Sequence, residues 1–186
     1  MKRLLDLSLV ALGTCILVFP LLLVVLAIKL TSRGPVLYWS DRVGKNNRIF
    51  SMPKFRSMVI STPTVATHLL DSPDRYLTPI GGFLRKSSVD ELPQLWSVVR
   101  GDMTLVGPRP ALYNQQDLIA LRTERSVHRL VPGVTGWAQI NGRDELPVEQ
   151  KVELDAEYLQ RQSFLFDIKI IILTVVKVLK QDSVAH

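Results

Sequence analysis

Two adjacent carboxylates, Asp90 and Glu91, are the residues of this sequence best placed to do chemistry. They follow the basic pair Arg85-Lys86 and precede Pro93. Because proline fits a helix without loss only in the first turn, Pro93 predicts a helix that begins near Asp90, with Asp90 as its N-cap. The positive end of that helix favours an ionised carboxylate, which can attack phosphorus or bind Mg²⁺. The structural alternative is a capping box formed by Ser88 and Glu91.

Arg109 stands between Pro108 and Pro110 in the segment Gly101–Pro110. The two prolines fix the backbone on both sides of the arginine. A guanidinium aimed in this way suits phosphate recognition. The alternative is an ordinary turn with an exposed arginine.

Two further segments carry candidate phosphate-binding cations. In Lys54–Met58, Lys54 and Arg56 flank Phe55. The segment Pro132–Arg143 is rich in glycine, which permits a close approach of backbone to a ligand, and it ends in Arg143. It is not a Walker loop, because no Gly-Lys-Ser/Thr follows.

The composition favours a membrane surface or phosphate-bearing substrates over nucleic acid. The chain has 186 residues, 47% of them hydrophobic, and a net charge of +6. Nucleic-acid binders are usually basic and polar, whereas this chain is basic and apolar. Its one cysteine, Cys15, excludes an intramolecular disulfide, and its three histidines lack zinc-ligand spacing.

The N-terminal segment predicts a membrane element. The 22 residues Leu7–Ile28 contain no charge and would span roughly 33 Å as a helix. Pro20 predicts a kink near Phe19, and cations flank both ends of the segment, at Lys2, Arg3, Lys29 and Arg33. A spanning helix usually shows this bias at one end. The residues alone leave a re-entrant hairpin and a kinked spanning helix equally open.

The remainder, 33–186, predicts a compact, mainly α-helical domain with short extended segments. The extended segments are expected at Val36–Trp39 and Arg48–Ser51, and the helices at Thr78–Lys86, Gln94–Val99, Leu118–Leu130, Val148–Gln162 and Leu165–Lys180. The last helix carries a narrow stripe of lysines on an apolar cylinder. Such a helix suits the membrane interface, and a buried helix with snorkelling lysines is the alternative.

Taken together, these segments resemble those of the bacterial sugar transferase family, the small monotopic phosphoglycosyltransferases. The similarity rests on Lys54–Met58, Ser88–Trp96, Gly101–Pro110 and Pro132–Arg143, in this order and with approximately the family's spacing. It covers essentially the whole chain. Two departures are Phe19-Pro20, where many members have Ser-Pro, and Gly82, where many have a basic residue.

The resemblance implies a topology, a reaction and partners. Residues 1–32 would form a re-entrant membrane helix broken at Pro20, and 33–186 a cytoplasmic catalytic domain with interfacial amphipathic helices, on the inner membrane of a bacterium. Asp90 would attack the phosphate next to the sugar of a UDP-sugar, release UMP and pass the phospho-sugar to undecaprenyl phosphate. By family analogy the sugar would be an N-acetylated amino sugar.

The resemblance also implies roles at the site. Glu91 would bind Mg²⁺, and Lys54, Arg85 and Arg109 would surround the phosphates. The expected partners are the UDP-sugar, undecaprenyl phosphate and membrane lipids, with no nucleic acid and with a homo-oligomer left open. The expected pathway is exopolysaccharide or glycoconjugate biosynthesis. Direct transfer in a ternary complex and a non-catalytic membrane scaffold are the competing hypotheses.

Overall fold

The computed structural model describes residues 2–63, 71–142 and 146–184, and only the backbone of 179–184. As predicted, the described chain is mainly helical. The α-helices are α1 (Lys2–Thr31), α2 (Gly81–Lys86), α3 (Leu95–Arg100), α4 (Gln116–Glu124), α5 (Trp137–Ile140), α6 (Val148–Arg161) and α7 (Phe164–Val184). Short 3-10 helices lie at Lys45–Asn47, Pro73–Tyr76, Val89–Gln94 and Val127–Arg129.

Two small sheets hold these helices together. Strands β1 (Leu37–Val43) and β2 (Ile49–Phe55) form an antiparallel hairpin, longer than the extended segments predicted from sequence. Strands β3 (Thr104–Val106) and β4 (Gly133–Thr135) pair in parallel. The chain leaves β3 directly into Gly107-Pro108-Arg109, so this short strand fixes where the Arg109 loop begins.

The first turn of α1 is built into the domain. Lys2 donates hydrogen bonds to the carbonyl of Val106 (2.8 Å) and to the carboxylate of Asp167 on α7 (2.5 Å). The buried carboxylate of Asp6 accepts hydrogen bonds from the side chain of Thr104 (2.6 Å) and the amide of Leu105 (3.1 Å). All of β3 therefore rests on the N-terminal end of α1.

The last turns of α1 are also packed, whereas its middle is exposed. Ile28 is fully buried against Phe55 and Leu84. Around Pro20 the large apolar side chains are open, with Phe19 68% exposed and Ile16 66% exposed. By length and composition, α1 is the one helix among the described residues that is able to cross a membrane. The protein thus holds this helix at both ends and leaves its apolar centre uncovered.

The outer face of α7 is also apolar. Phe166 and Ile170 pack into a core with Tyr158, while Ile172 and Val175 on the other side are more than half exposed. The two lysines of the predicted stripe whose side chains are described, Lys169 and Lys177, lie on one side of the helix. Lys169 lies 6.0 Å from the ring centroid of Trp137 and Lys177 contacts the carbonyl of Ile140, so both lie toward α5. The side chain of Lys180 lies outside the described residues.

The predicted start of α2 is wrong by two residues. Thr78 does not cap the helix, because its hydroxyl donates to the carbonyl of Ser57 (3.3 Å). The chain first turns through a Gly81 amide to Thr78 carbonyl bond, and the helix begins at Gly81. Gly81 allows this close approach, since a Cβ there would lie 2.0 Å from the Ser57 carbonyl oxygen. The end of α3 agrees with prediction, with Gly101 in the left-handed conformation (φ 94°).

Candidate active site

Asp90 and Glu91 lie in the 3-10 helix Val89–Gln94, between α2 and α3. The predicted N-cap assignment is wrong: the cap position is Ser88, in the left-handed conformation, and no side chain caps the helix. The capping-box alternative is also wrong, because no side chain caps this helix. The Glu91 carboxylate accepts its short hydrogen bonds from cations of other elements. Neither carboxylate therefore caps the N-terminal end of this helix.

Glu91 is the centre of an ion-pair cluster. Its Oε1 accepts hydrogen bonds from Lys54 Nζ on β2 (2.8 Å) and from Arg109 Nη2 (2.6 Å). Its Oε2 lies 3.3 Å from Arg109 Nη1 and 3.5 Å from Gln94. Burial alone would raise the pKa of Glu91, but the charges and hydrogen bonds of Arg109 and Lys54 outweigh it and hold this pKa well below its ordinary value. Glu91 is therefore ionised at neutral pH.

Asp90 has a different environment from its neighbour. Within the described chain its carboxylate accepts no side-chain hydrogen bond, and it is half-buried. Burial raises the pKa of Asp90, Lys54, Arg85 and Arg109 oppose the rise, and the Glu91 charge adds to it, so the net shift is upward. A half-buried carboxylate of raised pKa near cations is typical of a reacting group.

Lys54 and Arg85 both place positive charge near the two carboxylates. Burial lowers the pKa of Lys54, and the Glu91 charge opposes this shift. Arg85, near the end of α2, contacts the sulfur of Met58 (3.3 Å) and contributes positive charge at Asp90. The structure thus brings together Lys54, Arg85 and Arg109, three predicted cations from distant parts of the sequence.

Side chains from other elements hold the Arg109 loop in addition to its two prolines. Arg122 on α4 donates to the Arg109 carbonyl (2.7 Å) and pairs with Asp155 on α6 at 2.6 Å. The side chains of this pair are only 12% and 2% exposed. On β1, Arg42 donates to the carbonyl of Pro110 (3.2 Å). Sequence reasoning missed Arg42, Arg122 and Asp155, because nothing in their local sequence indicates these long-range contacts.

Arg56, another predicted phosphate-binding arginine, lines the same cavity but makes its hydrogen bonds elsewhere. The guanidinium of Arg56 is buried and donates to the carbonyls of Ser32 and Arg33 and to the Ser32 hydroxyl (2.7 Å), at the C-terminal end of α1. These contacts stabilise a helix end, where a cation is favoured. A phosphate-binding role for Arg56 remains a prediction that they do not support. Arg143 lies outside the described residues.

Two glycines of the Pro132–Arg143 segment, Gly133 and Gly136, pack against backbone in place of a ligand. A Cβ on Gly133 would lie 2.1 Å from the amide nitrogen of Gly107, and one on Gly136 would lie 2.1 Å from the Gly107 carbonyl oxygen. Side chains at these positions would push β4 away from the loop that leads to Arg109. The predicted close approach exists, but its partner is the chain itself.

A cavity of about 790 Å³ opens over the two carboxylates. Asp90, Glu91, Lys54, Arg85 and Arg109 all line it, so the charged cluster faces open space. A cavity of this size accommodates a nucleotide-sized ligand. Its excess of cations suits a ligand with several phosphates.

The donor set fits a magnesium ion that is shared with a substrate. Among the described residues, no group of three or more His, Cys, Asp or Glu side chains could hold a metal. Mg²⁺, however, is commonly held by one or two carboxylates together with substrate phosphates and water. Glu91 is ionised, and its Oε2 makes only the longer contacts of 3.3 and 3.5 Å, which leaves lone pairs for a cation.

Comparison with known proteins gives a match over nearly the whole chain. Residues 1–181 match the family described as bacterial sugar transferase. A sugar transferase of Bacillus subtilis (strain 168), EpsL, is 40% identical over 186 residues, which cover 99% of this chain and 90% of that protein.

Two longer relatives carry more specific names. An undecaprenyl-phosphate glucose phosphotransferase of Komagataeibacter xylinus is 46% identical over 94% of this chain and 35% of its own length. A UDP-glucose:undecaprenyl-phosphate glucose-1-phosphate transferase of Escherichia coli (strain K12) is 41% identical over 95% of this chain and 40% of its own length. The chain therefore spans about two fifths or less of these two proteins.

Proposed function

Since this chain belongs to the bacterial sugar transferase family, we propose that it is an enzyme that transfers a sugar-1-phosphate from a UDP-sugar to undecaprenyl phosphate. The observation that carries the proposal is the contrast at Asp90 and Glu91. One carboxylate is fixed and ionised by two cations, and its neighbour faces the cavity without a side-chain hydrogen bond from the described residues. This arrangement separates a structural charge from a reacting one.

In the first step, a carboxylate oxygen of Asp90 attacks the phosphorus atom that bears the sugar. A new bond forms between that oxygen and phosphorus, the bond from phosphorus to the bridging oxygen of the diphosphate breaks, and UMP leaves with the electron pair. The raised pKa of Asp90 suits this role, because a more basic carboxylate is the better nucleophile once it is ionised.

The cations act on charge that develops during this step. Arg85, Lys54 and Arg109 each place positive charge near Asp90, and all three line the same cavity. Two adjacent carboxylates would otherwise repel an anionic diphosphate. Preorganised cations stabilise the spread negative charge of the transferring phosphoryl group and of the leaving phosphate.

In the second step, a phosphate oxygen of the polyprenol phosphate attacks the same phosphorus atom. The bond to Asp90 breaks, the carboxylate is restored, and the product is a polyprenyl diphosphate sugar. Splitting the transfer in two means that the anionic donor and the anionic acceptor do not need to occupy the cluster together.

Magnesium is the cofactor we propose, with Glu91 as a ligand and Asp90 beside it. When bound, Mg²⁺ would neutralise the diphosphate and stabilise the departing phosphate. The protein's own contribution is to keep Glu91 ionised and oriented through Lys54 and Arg109.

We also propose that α1 enters and leaves the membrane on the cytoplasmic face of the bacterial inner membrane. Val10 clusters with Met52, and Ile28 clusters with Phe55. Met52 and Phe55 lie three residues apart on β2, about 10 Å, whereas a straight helix would separate Val10 from Ile28 by roughly 27 Å. A bend at Pro20, with the exposed apolar centre of the helix in lipid, accounts for both contacts.

This topology is tested by labelling in intact cells. Single cysteines in an N-terminal extension and at Arg33, in a Cys15→Ser background, should both resist an impermeant thiol reagent until the membrane is opened. Labelling of the N-terminal cysteine from outside would establish a spanning helix instead.

The donor sugar is tested with a screen. Relatives are named for glucose and for galactose, including a galactosyl transferase, CpsE, of Streptococcus agalactiae serotype III (strain NEM316). The N-acetylated amino sugar of the sequence interpretation remains a prediction. Purified protein with Mg²⁺, undecaprenyl phosphate and each UDP-sugar should release UMP with one hexose or N-acetylhexosamine donor. Absence of UMP with every donor would refute the proposed function.

A further inference from the structure

The wall of the active-site cavity from Met58 to Ile60 joins the reacting carboxylate to the point where α1 leaves the membrane. Arg85, whose charge acts on Asp90, contacts the Met58 sulfur at 3.3 Å. Two residues later, Ile60 lies against Gly34, just beyond the end of α1. A Cβ on Gly34 would lie 2.8 Å from Ile60 Cδ1. This stretch is therefore a continuous path from Asp90 to the end of the membrane helix.

The two ends of the cavity differ in chemistry. Near α1 the lining is mainly apolar, with Pro35, Leu37, Met58, Val59, Ile60 and Pro63, beside Ser57, Thr62 and an Arg56 guanidinium that hydrogen-bonds the end of α1. Away from α1 most of the charged and amide side chains are found, Arg42, Gln115, Arg122, Gln139 and Lys151, among apolar residues such as Leu112 and Leu118. Ile60 is 72% exposed although it belongs to the cavity wall, so an apolar ligand would cover a surface that is now open to water.

We propose that Met58, Val59 and Ile60 form a slot for the first isoprene units of the acceptor, with its phosphate directed toward Arg85 and Asp90. This inference rests on the proposed function and adds the part of the site that selects the lipid substrate. The chemistry of the path identifies the occupant. The path is apolar at Ile60 and cationic at Arg85, so it complements an isoprenoid phosphate, which is apolar at one end and anionic at the other. The isoprenoid chain would extend toward lipid.

The polar end of the cavity then holds the nucleotide. Amide and cationic side chains such as Gln115, Gln139 and Arg42 provide the hydrogen-bonding partners that a base, ribose and phosphate need. The nucleotide and the isoprenoid chain then extend to opposite ends of the cavity, while their phosphates use the same place opposite Asp90 one after the other.

The slot is tested by direct binding of a short acceptor to the purified full-length chain in detergent. The probe is an isoprenyl phosphate with two isoprene units, and calorimetry gives its Kd without any need for turnover. Ile60→Asn should weaken binding about tenfold, which corresponds to roughly 1.4 kcal/mol of lost apolar contact. The matched control is Ile49→Asn, because Ile49 is 62% exposed and does not line the cavity. Its Kd should equal the wild-type value.

The outcomes separate the slot from its alternatives. An unchanged Kd for Ile60→Asn, or equal losses in both variants, would overturn the slot and indicate general contact with lipid or detergent. A loss confined to UDP-sugar binding would assign this wall to the nucleotide. Release of UMP from donor alone by the wild type is measured in parallel, since its absence contradicts the proposed function even where the isoprenyl phosphate binds at Ile60.

Discussion

Arg109 meets Glu91 with both terminal guanidinium nitrogens, at 2.6 Å from Oε1 and 3.3 Å from Oε2. Lys54 adds a third contact to the same carboxylate. Glu91 is therefore held ionised and oriented by cations of the protein, and Asp90 is the member of the pair that we propose reacts. This difference between adjacent residues yields predictions for stability, for pH dependence and for chemistry.

Glu91→Gln and Asp90→Asn should affect folding differently. The pKa of Glu91 in the folded chain lies below its ordinary 4.5, so ionised Glu91 stabilises the fold above that pH, and this stability is lost as the pH falls through the folded-state pKa. Asp90 has a raised pKa, so its ionised form opposes folding at neutral pH. In thermal unfolding at pH 7, Glu91→Gln should cost about 3 kcal/mol. Asp90→Asn should be neutral or stabilising, and equal destabilisation by both would contradict the ion-pair assignment.

The rate of UMP release should fall at acid pH along a single-ionisation limb. The limb reports the protonation of Asp90. Its midpoint should lie at a pH above 3.8, the ordinary pKa of an aspartate, because burial raises the pKa of Asp90. Glu91 stays ionised over the same range. Arg85→Gln should move the limb to higher pH, since Arg85 lowers the pKa of Asp90. Lys86→Gln, its exposed neighbour on α2, is the control and should leave the limb in place. A limb unmoved by Arg85→Gln would show that another group titrates.

The buried pair Arg122–Asp155 should position Arg109. Arg122→Met should cost about 3–5 kcal/mol of stability because it leaves Asp155 buried and unpaired, and it should also lower kcat. Adding Asp155→Leu should recover much of the stability, since an apolar pair replaces an ionic one. It should not recover kcat, because the Arg109 carbonyl still lacks its Arg122 donor. Parallel recovery of both quantities in the double variant would reduce the pair to a purely structural role.

Activity should disappear in EDTA and return with Mg²⁺. Glu91→Gln should lower turnover on the order of 100-fold or more, because an amide is a poor Mg²⁺ ligand and because Lys54 and Arg109 lose the charge that orients them. Titration of Mg²⁺ against the initial rate gives the measurement. Full activity in chelator would show that the reaction does not need Mg²⁺.

The sequence predicted which residues meet at the site better than it predicted their local geometry. Prolines on both sides of Arg109 and the Asp-Glu pair were recognisable because residue type and spacing identify them. The prediction that Asp90 is the N-cap was wrong. The position of Pro93 locates the helix start only to within about one turn, and it does not indicate that Ser88 adopts the left-handed conformation. Local signals also ended α3 correctly at Gly101.

Long-range contacts account for the rest. Arg56 resembles Lys54 in sequence, yet one is buried at the end of α1 and the other faces Glu91. Alternation along a strand would place Lys54 and Arg56 on the same face, because they are two residues apart. They differ because β2 ends at Phe55, so Arg56 lies past the strand. The support of Arg109 by Arg122 joins α4 to the loop after β3, which no local pattern indicates.

The central claim is that Asp90 becomes covalently bonded to the sugar phosphate, and intact-protein mass spectrometry tests it most directly. Purified enzyme, Mg²⁺ and the UDP-sugar, with no polyprenol phosphate, should give one phospho-sugar adduct per chain and a stoichiometric burst of UMP. Asp90→Asn should give neither while it remains folded, since Asp90 accepts no side-chain hydrogen bond from the described residues. Wild-type enzyme that turns over with acceptor, yet shows no adduct and no burst without it, would contradict the covalent route and indicate direct transfer in a ternary complex.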